Sequence, residues 1–217
     1  MPEFAELRER MVRRQIESRG ITDPAILDAF RGVPREEFVD EEHQRFAYDD
    51  NPLPIEAGQT ISQPYIVALM IEAAGIRPGD EVLEVGAGSG YAAAVISRIA
   101  KRVVSIERHG ELAQIARERM ARLGYGNVRI LQGDGTRGCP DEAPFDAILA
   151  AASGSHVPKP LLDQLAPGGR LVMPVGDPGW VQELVKVTKR SDGSTSQENL
   201  GGVRFVPLIG EEGWSDG

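Results

Sequence analysis

The sequence predicts an α/β domain with a doubly wound sheet, and two observations predict this class. Short apolar runs of strand length occur at residues 81–85, 102–107, 128–131 and 145–150. Segments with helical spacing of apolar residues separate these runs, as residues 110–123 illustrate. Strands that alternate with helices form a parallel sheet, because each return of the chain to the same edge needs a crossover.

The N-terminal part reads as a helical cap followed by a loop. Apolar residues recur at helical spacing over residues 4–20, and Pro24 opens a second helix at residues 25–30. Residues 48–61 contain prolines and a glycine that disfavour regular structure. A long irregular segment inside a compact domain is often functional, so we expect this loop to contact a substrate.

Ser62 stands where the N-cap of a third helix, residues 66–74, is expected, with Pro64 in the first turn. Two interpretations are open for this serine. It caps the helix alone, or it acts with Thr60 to present hydrogen-bond donors to an anion in a cleft.

A glycine-rich turn follows the first strand of the predicted sheet. The sequence is EVLEVGAGSGY at residues 81–91, with glycines at 86, 88 and 90. Glycines let the backbone turn sharply and approach a ligand closely. A dinucleotide fingerprint would need its third glycine at Tyr91, and a P-loop would need a lysine, so the turn matches neither motif.

Acidic residues accompany three successive strands. Glu84 stands two residues before the first glycine, Glu107 ends the second strand, and Asp134 with Gly135 follows the third. An acid about 20 residues after the glycine turn can accept hydrogen bonds from ribose hydroxyls. Three carboxylates at neighbouring strand ends favour a cation with N–H and O–H donors and repel a pyrophosphate. The pattern therefore predicts S-adenosylmethionine as ligand and the Rossmann-like core of a class I methyltransferase.

The fourth strand leads into AASGSH at residues 151–156. Methyltransferases that act on nucleobase amines usually place an Asp/Asn-Pro-Pro-aromatic turn there, and metal-assisted catechol chemistry needs clustered acidic ligands, so we expect no metal. His156 is either a general base for a hydroxyl acceptor or a plain loop histidine. A carboxylate acceptor is already ionised at neutral pH, so the lack of a clear base favours methyl-ester formation.

Composition and charge limit the partners and the location. The net charge is −9, and basic residues form no continuous patch, which argues against a nucleic-acid substrate. The single cysteine, Cys139, cannot form an internal disulfide, so we expect the reducing cytoplasm. No apolar run has the length of a membrane span, and we expect a monomer without membrane contact.

We expect one methyltransferase domain over residues 1–217. It divides into a helical cap with a substrate loop (1–75), a cofactor-binding core (76–176) and C-terminal strands (177–217). Two strands are predicted in the last part, from Trp180 to Thr188 and from Val203 to Leu208, joined by a polar turn from Ser191 to Glu198.

Seven segments, spread in order over nearly the whole chain, resemble protein-L-isoaspartate (D-aspartate) O-methyltransferases. They are VPREEFV (33–39), LPI (53–55), GQTISQPY (58–65), LEVGAGSGY (83–91), GDG (133–135), APFDAI (143–148) and RFVPL (204–208). The TISQP segment is far more diagnostic than the glycine turn, which all relatives share. Two departures are Ala87, where threonine is common, and Ser153-Gly154-Ser155, where Ala-Pro is usual.

The resemblance implies methyl transfer from S-adenosylmethionine to the α-carboxylate of L-isoaspartyl and D-aspartyl residues in damaged proteins. S-adenosylhomocysteine is the second product, and the ester then cyclises to a succinimide. The implied residue roles are as follows: Ser62 and Thr60 are catalytic; Glu84, Gly86, Ala87, Gly88, Gly90, Tyr91, Glu107, Arg108, Asp134 and Gly135 bind the cofactor; Ile61, Val206, Pro207 and Leu208 bind the substrate.

Three alternatives share the same core. The first is a carboxyl methyltransferase that tailors one dedicated peptide. The second is a small-molecule O-methyltransferase that uses His156 as its base. The third is a protein that binds S-adenosylmethionine without catalysis.

Overall fold

The computed structural model describes residues 2–216 and is built around a mostly parallel sheet. Within these residues the strands are β1 (Leu53–Pro54), β2 (Thr60–Ile61), β3 (Glu81–Val85), β4 (Arg102–Glu107), β5 (Val128–Gln132), β6 (Phe145–Ala150), β7 (Leu165–Val175), β8 (Gln182–Lys189) and β9 (Thr195–Val203). The large sheet has the order β5–β4–β3–β6–β7–β8–β9. Strands β3 to β7 are parallel, and β8 and β9 run antiparallel to their neighbours. The predicted α/β class is confirmed.

Helices occur mainly between the strands and in the N-terminal cap. They are α1 (Pro2–Met11), α2 (Pro24–Gly32), α3 (Pro64–Ala74), α4 (Tyr91–Ser97), α5 (Gly110–Leu123) and α6 (Lys159–Asp163). The first predicted helix continues past α1 as a π-helical turn and a 3₁₀ turn, and it ends at Gly20 in the left-handed conformation. The Asp23 side chain caps α2 by accepting a hydrogen bond from the Ala25 N–H at 2.8 Å.

Two apolar clusters cover the two faces of the sheet, because side chains alternate along each strand. Val82 and Val103 belong to the cluster that packs against the cap and α2 to α5. Leu83 and Val104 belong to the second cluster, which packs against α6 and Leu208. None of the helices in residues 2–216 is long and apolar enough to span a bilayer.

The strand order reverses between β3 and β6, which are neighbours in the sheet although β4 and β5 lie between them in the chain. Chains leave such neighbouring strands in opposite directions, and a crevice forms at their carboxyl ends. The glycine turn after β3 and the segment after β6 therefore meet at one place.

The C-terminal strands differ from the prediction. The antiparallel strand covers Thr195–Val203, whereas the sequence predicted a turn up to Glu198 and a strand over residues 203–208. β9 is an edge strand exposed on most of its length, so it carries polar residues that read as a turn. The segment 204–208 is instead irregular and has a single bridge, between Pro207 and Ser153 in the segment after β6.

Candidate active site

A cavity of about 880 Å³ lies at the carboxyl ends of β3, β4 and β6. This volume is at the upper end of the range for small-molecule sites, so the cavity can hold a nucleotide-sized ligand and part of a second molecule. Its walls come from the glycine turn, from residues 59–63 and from residues 202–209.

The glycine turn forms the floor of the cavity. Gly86, Gly88 and Gly90 have φ angles of 92°, 51° and 89°, a region in which L side chains are strained. The Gly86 and Ala87 N–H groups donate to the Ile106 carbonyl at 2.8 and 3.2 Å, which ties the turn to β4. The turn is therefore held open at a fixed distance from the end of the neighbouring strand.

Glu107 connects β4 to the glycine turn through both of its carboxylate oxygens. Oε2 accepts from the Gly88 N–H at 2.8 Å, and Oε1 accepts from the His109 N–H at 2.9 Å. The residue is 5% exposed and lines the cavity. These bonds fix its orientation and leave further lone pairs for a ligand with hydroxyl donors.

Glu84 lies one strand away and is 2% exposed. Burial raises the pKa of Glu84 to about 8, a hydrogen bond from Ser105 opposes this shift, and the charge of Glu107 adds to it. Ser105 stands directly opposite Glu84 in the parallel register of β3 and β4. A buried carboxyl group with a raised pKa gains most from a neighbouring cation, because a positive charge favours its ionised form.

Asp134 and Gly135 follow β5, but only Gly135 lines the cavity. Asp134 accepts from the Thr136 N–H and hydroxyl at 2.9 and 2.7 Å, and from the Glu211 N–H at 2.8 Å. Burial opposes the effect, but the hydrogen bonds from Glu211 and Thr136 hold the pKa of Asp134 below its usual value. Its carboxylate therefore fastens the C-terminal segment and does not face the cavity.

The C-terminal segment, residues 209–216, closes one end of the cavity. Trp214 donates from its indole Nε1 to the Ser153 carbonyl at 2.8 Å. Arg108, which was predicted to contact the cofactor, pairs with Asp216 at 2.5 and 3.2 Å, and both residues line the cavity. No sequence pattern predicted this closure, because it depends on contacts between residues more than 50 positions apart.

Ser62 and Thr60 also line the cavity. The predicted cap role of Ser62 is wrong: α3 begins after Gln63, and no side chain caps it. The Ser62 hydroxyl makes no hydrogen bond to any other residue between positions 2 and 216, whereas its carbonyl accepts from Arg35 Nη2 at 2.8 Å. The hydroxyl is therefore available to a ligand.

A hairpin carries Thr60 and Ile61 and packs directly on the glycine turn. It consists of β1 and β2, which pair antiparallel with Leu53 opposite Ile61. A Cβ at Gly88 would lie 3.4 Å from Cδ1 of Ile55, so these residues are in close contact. The sequence predicted an irregular loop here, because two-residue strands leave no detectable alternation.

Two cations hold this hairpin and its continuation in place. Arg119 of α5 donates to the Ser89 carbonyl at 2.7 Å and lies 3.8 Å from a carboxylate oxygen of Glu56. Arg35 is fully buried and donates to the Ala47 carbonyl at 2.7 Å, in addition to Ser62. Sequence reasoning missed the roles of both residues. Arg119 could have been found as an arginine on the inward face of a helix, whereas Arg35 stands next to two glutamates and its local sequence does not predict burial.

The segment 204–208 covers the cavity from the C-terminal side. Ser153 donates its N–H to the Val206 carbonyl, and its carbonyl accepts from the Leu208 N–H, both at 2.8 Å. Val206, Pro207 and Leu208 all line the cavity. The two departures from the usual pattern thus lie at the floor, at Ala87, and under this cover, at Ser153.

The structure brings fourteen of the sixteen predicted site residues to one cavity. The exceptions are Gly90, which precedes α4, and Asp134. His156 is exposed, lies outside the cavity lining and contacts Ser155 Oγ through Nδ1 at 2.9 Å. Asp40, Glu42 and His43 are the one cluster of potential metal ligands in residues 2–216, and they lie on the surface away from the cavity.

Comparisons with known proteins identify the family of this chain. The model of the protein-L-isoaspartate(D-aspartate) O-methyltransferase family matches residues 6–213. The chain is 58% identical over 212 residues to protein-L-isoaspartate O-methyltransferase 1 of Rhodopseudomonas palustris (strain HaA2), covering 98% of this chain and 86% of that protein. It is 49% identical over 216 residues to protein-L-isoaspartate O-methyltransferase of Brucella anthropi, covering 100% and 99%.

Solved structures give the same result. A protein-L-isoaspartate O-methyltransferase superposes with a TM-score of 0.87 at 32% identity, covering 95% of this chain and 67% of that chain. A Plasmodium falciparum structure, described as a protein-L-isoaspartate O-methyltransferase in complex with S-adenosyl-L-homocysteine, has a TM-score of 0.80 at 27% identity and covers 93% and 98%. The Rossmann-like class I methyltransferase fold is confirmed, and the chain belongs to the protein-L-isoaspartate(D-aspartate) O-methyltransferase family.

Proposed function

We propose that this chain transfers a methyl group from S-adenosylmethionine to the α-carboxylate of L-isoaspartyl and D-aspartyl residues in damaged proteins and peptides, which starts their repair through a succinimide. One observation carries the proposal: a single cavity has two chemically different sides. Buried Glu84 and Glu107 line one side, the donor side. Thr60 and Ser62 line the other, the acceptor side.

The donor side fits the charge of S-adenosylmethionine. This cofactor, when bound, supplies its methyl group on a positively charged sulfur. Glu84 attracts the cationic end, and Glu107 accepts hydrogen bonds from the ribose hydroxyls. Gly86, Ala87 and Gly88 offer close backbone approach, because no long side chain stands between the turn and the ligand.

The remaining cofactor-side residues act at the edges of the same site. Gly135 lines the cavity and takes the adenine edge in this proposal; a Cβ there would clash with Val85, so glycine is needed for the chain after β5 to pack this closely on the end of β3. Asp134 supports Gly135 indirectly by holding the C-terminal segment. Gly90 and Tyr91 fix the start of α4 behind the turn, and Arg108 closes the ribose end.

The acceptor side orients an anion that needs no general base. A carboxylate is ionised at neutral pH, so the protein has only to align it with the methyl group at near-attack distance. The Ser62 and Thr60 hydroxyls donate to the carboxylate oxygens. Ile61 and the segment 206–208 enclose the acceptor and exclude water, so Val206, Pro207 and Leu208 make contacts that do not depend on the peptide sequence.

A methyl-transfer assay tests the proposal. Radiolabelled S-adenosylmethionine is incubated with several unrelated isoaspartyl peptides and with their aspartyl twins, and base-labile methanol is counted. We expect labelling of every isoaspartyl peptide and of no aspartyl twin. Labelling of one peptide alone would favour a dedicated tailoring enzyme, and cofactor binding without any labelling would contradict the proposal.

The structural and cellular context is also part of the proposal. We divide the chain functionally into the cap with its substrate loop (1–75), the cofactor-binding core (76–176) and the C-terminal strands (177–217). Our expectation of a cytoplasmic monomer that binds neither nucleic acid nor membranes stays a prediction. Size-exclusion chromatography with light scattering and cell fractionation test it directly.

A further inference from the structure

Two exposed apolar residues stand side by side at the mouth of the cavity. Trp180 is 75% exposed and Val181 is 61% exposed, whereas Phe46 is the one other large exposed apolar side chain in residues 2–216. Val181 lines the cavity. A single exposed apolar residue needs no explanation, but an adjacent pair that ends in the wall of a binding site favours contact with a ligand.

Arg204 lies on the same rim. It is exposed, lines the cavity, and forms no ion pair with any residue between positions 2 and 216. Val181 packs on the chain two residues before Arg204, because a Cβ at Gly202 would lie 2.9 Å from Cγ1 of Val181. A free cation and an apolar pair thus occupy one edge of the cavity.

The buried amide of Gln182 joins the two pieces of this rim. Its Oε1 accepts from the Phe205 N–H at 2.8 Å, and its Nε2 lies 3.4 Å from the carbonyls of Asp177 and Phe205. Gln182 is 1% exposed, so these bonds are protected from water. The rim is therefore preformed, which lowers the entropy cost of binding a flexible peptide.

We propose that Trp180, Val181 and Arg204 dock the acceptor peptide outside the methyl-transfer centre, a role that rests on the proposed function. Trp180 and Val181 receive an apolar side chain next to the isoaspartyl residue. Arg204 attracts the negatively charged acceptor toward a protein whose net charge is −9. Trp and Arg are the residues that most often dominate binding surfaces, and apolar contact suits a site that accepts many sequences.

A pair of matched peptides tests the apolar half of the rim. The two isoaspartyl peptides differ only in carrying Phe or Gly beside the isoaspartyl residue. We expect the wild type to have a KM about tenfold lower for the Phe peptide than for the Gly peptide. Trp180→Ala should abolish this preference. The expected change is in the ratio of the two KM values, with kcat unchanged. A general folding defect would instead lower kcat for both peptides alike.

Phe46→Ala is the matched control, because it removes an exposed aromatic ring that does not line the cavity. It should keep the wild-type preference. An unchanged preference in Trp180→Ala, or equal KM values of the wild type for both peptides, would overturn the apolar contact.

Salt dependence tests the charged half. We expect Arg204→Gln to raise KM for isoaspartyl peptides about fivefold at low salt and to flatten the rise of KM with salt that the wild type shows. Arg204→Lys should retain most of that dependence. Arg77→Gln, an exposed arginine away from the cavity, is the control and should behave as the wild type. An Arg204→Gln variant with the wild-type salt dependence would contradict the role of this residue.

Calorimetric binding of the two peptides in the presence of S-adenosylhomocysteine separates the two proposals. If no isoaspartyl peptide is methylated, the proposed function fails. The docking rim is then judged by binding alone: a preference for the Phe peptide that disappears in Trp180→Ala supports it, and equal binding of both peptides refutes it.

Discussion

The donor side and the acceptor side of the cavity are built in different ways. The donor side comes from the ends of β3 and β4, and its carboxylates Glu84 and Glu107 are positioned by bonds to adjacent strands and to the glycine turn. The acceptor side comes from a short hairpin and from the segment 204–208, which lie far apart in the sequence. Each piece is held by its own long-range contact: buried Arg35 binds the Ser62 carbonyl, partly buried Arg119 binds Ser89 and faces Glu56, and buried Gln182 binds Phe205.

This difference has a consequence for mutation. Changes on the donor side should affect cofactor affinity first, since the sheet keeps the rest of the cavity in place. Changes on the acceptor side should affect turnover and peptide binding first. Variants that mix the two effects would show that the sides are not separate.

Glu107→Ala should have the largest effect. It removes the acceptor for the Gly88 and His109 N–H groups together with the expected ribose contact. We expect the affinity for S-adenosylhomocysteine to fall about 100-fold, which corresponds to about 2.8 kcal/mol, as measured by calorimetry. Glu111→Ala, an exposed acid in the first turn of α5, is the control. If Glu107→Ala binds S-adenosylhomocysteine with the wild-type affinity, Glu107 does not belong to the donor side.

Ser62→Ala should give the opposite pattern. Loss of one hydroxyl that orients the acceptor should lower kcat about 30-fold, while the affinity for S-adenosylhomocysteine stays within about twofold. Ser62→Thr keeps a hydroxyl and should recover part of kcat, and Ser155→Ala, outside the cavity, should not change it. A clear fall in the affinity of Ser62→Ala for S-adenosylhomocysteine would contradict this prediction, because it would show that the acceptor side also determines cofactor binding.

Arg119→Met tests the contact between the sides. Arg119 is held by Ser89 of the glycine turn and faces Glu56 of the hairpin; burial lowers the pKa of its guanidinium, and Glu56 opposes this shift. We expect the peptide KM to rise about tenfold and cofactor affinity to fall about threefold. Arg122→Met is the control, because Arg122 is exposed and lies on the same helix, about one turn after Arg119.

Glu56→Gln combined with Arg119→Met extends this test to a double-mutant cycle. The double variant should be no worse than Arg119→Met alone if the two residues act as a pair. Simple addition of the two effects would show that Arg119 positions the glycine turn only.

The sequence predicts the donor side well because its signals are local and periodic. Each strand is an apolar run, each acid stands at a strand end, and parallel strands place those ends at one edge. Asp134 follows the same pattern, but it binds the C-terminal segment, whose position no local pattern encodes. The position of an acid at a strand end therefore predicts that it lies near the site, but it does not predict which group the carboxylate binds.

The acceptor side is hard to predict because long-range contacts decide it. The start of α3 lies one residue later than a cap at Ser62 requires, and buried Arg35 holds the Ser62 carbonyl from 27 positions away. β9 is polar because it lies at an exposed edge, so its composition resembles that of a turn. Irregular composition and an expected helix start drew attention to residues 48–62, but they left the role of Ser62 open, and only the resemblance to a known family made Ser62 and Thr60 catalytic.

Glu84→Gln tests the donor side through stability and not through binding. A glutamate in the unfolded chain titrates near 4.5, whereas burial raises the pKa of folded Glu84 to about 8. The folded state therefore binds the extra proton between these values, and this contribution to stability is lost as the pH rises through that window. For one group the loss is at most about 1.4 kcal/mol per pH unit. Urea unfolding of the cofactor-free protein at pH 5.5 and 7.0 should show a steeper loss in the wild type than in Glu84→Gln. Equal losses would mean that Glu84 is ionised in the folded protein before the cofactor binds, and that the donor side is already charged without its ligand.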